Sequence, residues 1–172
     1  MREKRMEERT LLTNSCFVIP VREKLAILTR RFILIPYLIF RYKMRRLIPT
    51  NLAEPGDVLR TYVRDYEAKR VLTNLGIEER DATAAIKVAT YMHNLTHPIG
   101  RITEMTPERS VRIEEHCPFA RFLTPDKCRN IISGPAFKGV CEAIHPHLTH
   151  AHATYLSGGD DCCDLVFERR SQ

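Results

Sequence analysis

The last thirty residues constrain this chain most, because they alternate like strands on both sides of a glycine-rich turn and so commit it to an antiparallel pairing. Residues 148–156 alternate, Gly158-Gly159-Asp160-Asp161 has turn chemistry, and Cys162 to Phe167 alternates again. Pairing Leu156 with Cys163 fits a tight connection. Side chains of a strand alternate faces, so this register places His150, His152, Thr154 and Leu156 with Cys163, Leu165 and Phe167. Tyr155, Cys162 and Asp164 fall on the opposite face. A glycine at 159 suits a turn position with positive φ.

Earlier segments supply what such a hairpin packs against. Leu59, Tyr62, Val63, Tyr66, Val71, Leu72 and Leu75 follow a helical stripe that Gly76 terminates, and a second helix runs from about Glu78 to Asn94. His93 and His97 sit four residues apart near its end, a spacing that suits either one metal ion or the negative end of a helix. The zinc-protease glutamate is missing, since Asn94 follows His93. After Gly100 the period changes to two, with strands around Ile102 and from Val111 to Glu114 joined at Thr106-Pro107. Thr124-Pro125-Asp126 opens a further helix with threonine as N-cap, and helix resumes at Ala136 beyond Gly134-Pro135. The expected class is therefore α+β: N-terminal helices, then two β-hairpins bracketing a helix in a small antiparallel sheet.

The chain has 172 residues and a formal charge of +6, and the charge is unevenly placed. Twelve basic against four acidic residues give residues 1–50 a balance of +8, which leaves −2 for the remainder. Residues 1–55 thus read as a basic, amphipathic extension and residues 56–172 as a Cys/His-rich α+β domain. The apolar run Phe32 to Phe40 is nine residues long, against about 20 for a spanning helix. With its basic flanks, the segment 25–48 suits a membrane surface or a protein partner as well as a buried helix kinked at Pro36. Nucleic acid is disfavoured, because no helix-turn-helix, zinc-finger or RNP-like pattern accompanies the charge. Six cysteines with no signal-peptide pattern point to free thiols in a reducing compartment, with cytoplasm the default and peripheral membrane attachment the alternative.

The chemistry gathers in the last third, where Cys117, Cys128, Cys141, Cys162 and Cys163 lie among five of the seven histidines. Cys117, Cys128, Cys141 and Cys163, with His150 and His152, form a candidate set for a divalent metal or an Fe-S cluster. No C-x-x-C knuckle or ferredoxin spacing supports it. Buried cysteine is also an ordinary small hydrophobe.

Cys117-Pro118-Phe119-Ala120, a helical Cys141, and Gly159-Asp160-Asp161-Cys162-Cys163-Asp164 leading to Phe167 resemble the C-terminal half of the L-2-amino-thiazoline-4-carboxylic acid hydrolase-like family over residues 98–169. The same ending is similar to 4-vinyl-reductase-type ligand-binding domains. The first resemblance implies a hydrolase acting on C–N bonds, adding water to a cyclic amidine to leave an N-carbamoyl thiol. Under that implication Cys163 or Cys117 acts as nucleophile with His152 and Asp160 as catalytic partners, while Asp164, Arg112 and Tyr155 bind the substrate. The alternative is a non-catalytic ligand-, metal- or Fe-S-binding or redox-sensing domain. In either case the partner is a small molecule.

Overall fold

The computed structural model describes residues 54–96 and 99–170, with isolated positions between Leu25 and Phe40. Most of the basic extension lies outside the described residues, as does His97. Helix α1, Pro55–Tyr62, passes through one π-helical turn, Val63–Glu67, into α2, Ala68–Leu75, which Gly76 ends at φ 61°. Helix α3 spans Ala82–Thr96. It starts four residues later than the hydrophobic pattern suggests, because Asp81 Oδ1 accepts from the Thr83 and Ala84 amides and so sets the N-terminus. Strands β1, Ile99–Met105, and β2, Arg109–His116, form the first hairpin. Helices α4, Pro125–Ile131, and α5, Ser133–Ile144, precede β3, Leu148–Ala151, and β4, Cys163–Arg169.

The sheet is antiparallel with order β1-β2-β4-β3, and the helices cover one face of it, so the chain has the α+β class its sequence implies. Thr124 caps α4 as its sequence predicts, accepting from the Lys127 amide. Two helices rather than one stand between the hairpins. The final hairpin departs further: His150 opposes Phe167 and Ala151 opposes Val166, a pairing two residues from the one expected, and residues 152–162 loop out before β4. A shift of two preserves faces, so His150 still lies with Cys163, Leu165 and Phe167. What is lost is the tight turn. Leu156 reaches Cys163 through its amide, which donates to Sγ at 3.1 Å, and not through a strand ladder.

Helix α5 is the hub of the core. It packs on α1, the π-helical turn, α3, α4 and β3, and Phe137, Val140, Cys141 and Ile144 are buried along it. Gly139 permits the close approach to α1, because a Cβ there would lie 2.5 Å from the Arg60 carbonyl and 3.1 Å from Val63 Cβ. Between α5 and the sheet, Phe137 meets Phe167 of β4 edge to face at 6.0 Å. Among the described residues no helix is long and apolar enough to cross a membrane.

Gly139→Ala is therefore expected to destabilise the fold by about 1–3 kcal/mol, since backbone rather than a flexible side chain must yield. Chemical denaturation monitored by circular dichroism measures it. Unchanged stability would show that the contact between α1 and α5 is slack.

Candidate functional site

Strand β2 carries its polar residues inward. Ser110, Arg112 and Glu114 face the helices and are buried, with Arg112 2% exposed, while Val111 and Ile113 take the outer face. Burying a guanidinium is costly unless it is paired. Here Arg112 Nε donates to Glu114 Oε1 at 2.5 Å, and Nη1 reaches Thr90 Oγ1 on α3 at 3.5 Å. His93, one turn along α3 from Thr90, places Nδ1 2.6 Å from the same carboxylate oxygen. Burial by itself raises the Glu114 pKa, yet His93 and Arg112 together hold it below the usual carboxylate range. Its second oxygen, Oε2, is buried and finds no partner among the described residues.

That carboxylate borders a cavity of about 100 Å³ whose walls also include Cys117, Cys128, Cys163, His93 and His152. Met92, Phe119, Leu123 and Phe137 make most of its surface apolar. Burial raises all three thiols, Cys163 to about 11, so near neutrality they are protonated. In that state Cys163 is a poor nucleophile. His152 is itself pushed down to about 4 by burial, so it is neutral and offers no charge. The Asp164 backbone opposes that shift, although among the described residues neither ring nitrogen of His152 makes a hydrogen bond of proper geometry.

A second, larger cavity of about 600 Å³ opens on the other side of His152 and Tyr155, between the starts of α1 and α5. Arg60, Arg129, Lys138 and His150 border it. The two rings belong to both cavities, with centroids 5.3 Å apart. Tyr155, assigned by alternation to the far face, is buried beside His152 instead, because residues 152–162 leave the strand before reaching it.

The remaining candidates have structural work. Arg112 is spent on Glu114 and is not placed to meet a substrate carboxylate. Asp164 Oδ1 accepts from the Ala153 and Thr154 amides at 2.6 and 2.8 Å, and Asp160 Oδ2 accepts from the Tyr155 amide at 2.7 Å. Together they pin the loop, which Gly159 turns at φ 94°. Cys141 is buried in α5 away from the inner cavity, with burial raising it to about 12, and Cys162 lies near Thr154 outside that cavity too. Among the described residues no three His, Cys, Asp or Glu side chains converge to hold a metal ion. The sequence reading missed Glu114 as a site residue and read His93 only against His97. An acidic residue two positions from Arg112 on the same strand face was the available signal.

Two outcomes follow from the buried rings and thiols. His150 and His152, both pushed to about 4 from an ordinary 6.5, are bound by protons first in the unfolded chain. Their contribution is complete above about pH 6.5 and shrinks as pH falls toward 4, so thermal stability should drop between about pH 7 and pH 5, by an order of 1–3 kcal/mol. His150→Leu should flatten that slope, and an unchanged slope would remove His150 as its source. Alkylation of Cys163, followed by mass spectrometry, should accelerate up to about pH 11. An inflection near neutrality would show a thiolate that this geometry does not provide.

The chain matches no family model and no curated protein sequence. Its structure is similar to the crystal structure of a trafficking protein particle complex subunit 3 from Naegleria fowleri covalently bound to palmitic acid, with 10% identity and a TM-score of 0.47. The superposition covers 84% of this chain and 96% of that one, a likeness too slight to carry an argument about function.

Proposed function

We propose that residues 55–170 form a small-molecule-binding domain whose inner cavity holds a compact, mostly apolar ligand bearing an N–H donor. One observation carries this reading: Glu114, buried and held by Arg112 and His93, keeps an oxygen without a partner among the described residues while bordering a largely apolar cavity. A buried acceptor without a donor is costly, and a ligand N–H removes that cost. At about 100 Å³ the cavity is smaller than the roughly 150 Å³ that accommodates benzene, so a five-membered heterocycle is the size class. The protonated thiols favour holding the ligand over attacking it. Cytoplasmic residence, and attachment of residues 25–48 to a membrane surface or protein partner, remain part of the proposal on the sequence grounds given above.

A hydrolytic reading rests on the His93–Glu114 pair at 2.6 Å. On it, Glu114 holds the amidinium of a cyclic amidine and His93 moves the proton of an attacking water. The thiols are then walls, not nucleophiles.

Calorimetry with 2-aminothiazoline and similarly sized amidines is expected to show saturable binding by the full chain. Ala136→Val, which narrows the cavity without touching the Glu114 network, should weaken it about tenfold or more. Equal binding by this variant, or none by the wild type, would overturn the binding reading. Chromatographic detection of a carbamoyl thiol from a bound aminothiazoline, lost in Glu114→Gln, would establish the hydrolytic one.

A further inference from the structure

The outer cavity has a chemistry that the inner one lacks. Its cations come from three helices: Arg60 from α1, Arg129 from α4 and Lys138 from α5. Arg60 is engaged, 3.4 Å from Asp57 and 3.8 Å from Glu142. Arg129 and Lys138 have no carboxylate within ion-pair distance among the described residues, although Glu54 and Asp57 also border the cavity. Arg129 is held in place by its guanidinium, 5.5 Å over the Tyr155 ring. Lys138 lies close enough to His150 to oppose its protonation. His152 and Tyr155 also line this cavity.

We propose that this cavity binds the phosphate group of a small phosphate monoester, held by Arg129 and Lys138. A planar guanidinium and an ammonium on different helices suit an oxyanion with several acceptors, and arginine meets such groups through two parallel N–H bonds. A cavity of about 600 Å³ lies within the range of roughly 300–1,000 Å³ typical for small-molecule sites, so more than the phosphate fits. Because His152 and Tyr155 border both cavities, an occupant here shares two side chains with the inner one. The proposal stands independently of the ligand assigned to that inner cavity.

Calorimetry of the full chain near pH 7 with inorganic phosphate and with glycerol phosphate tests it. Both should bind, the ester more tightly, with Arg129→Gln and Lys138→Met each losing about tenfold. Both side chains are exposed, so these variants should keep the wild-type melting temperature. In nuclear magnetic resonance titrations, phosphate should raise the His150 pKa in the wild type and not in Lys138→Met. Absence of binding, or binding equal in both variants, would overturn the site. Binding to vesicles containing phosphatidic acid, with none to the soluble compounds, would overturn the small-molecule source.

Discussion

The ion pair between Arg112 and Glu114 governs the arrangement of everything near the site. Two charged residues on the inner face of a central strand can be buried only as a pair, with their remaining hydrogen-bonding capacity met by neighbours. Thr90 and His93 on α3 meet part of it, which fixes how that helix crosses the sheet. The space beside the pair is left apolar and incompletely filled, and the cavity arises there.

The same burial decides the chemical character of the thiols and imidazoles. Sequence proximity of cysteines and histidines suggests mutual activation, thiolate beside imidazolium. Inside this cavity the Cys163 thiol and the His152 ring take their neutral forms, since burial opposes the charged form of either. Glu114 is the exception, and it stays ionised because two donors hold it. The fixed charge in this site is therefore a carboxylate, which favours donors over nucleophilic chemistry.

The loop at residues 152–162 links the two cavities. Asp160 and Asp164, attractive as catalytic carboxylates on paper, accept backbone amides and shape the loop so that His152 and Tyr155 stand between the compartments. Cys163 adds to this by accepting from the Leu156 amide. Strand geometry stops at Ala151 because those side-chain acceptors offer the backbone better partners than a continued ladder.

Local chemistry made much of the fold legible in the sequence. Period, caps and turn residues are short-range properties, so the helices ending at Gly76 and beginning at Thr124, the two strand pairs and the left-handed Gly159 follow from the residues themselves. Strand parity also follows from sequence, which is why the face shared by His150, Cys163, Leu165 and Phe167 survived a shift in register. The tertiary structure alone decided which face of β2 turned inward, because alternation places Val111 and Ile113 opposite Arg112 and Glu114 without naming the buried side. It also decided that His93, twenty-one positions before Glu114, would be the residue to meet it. Charge pairing across elements depends on packing distances, and the order of residues along a chain does not contain those distances.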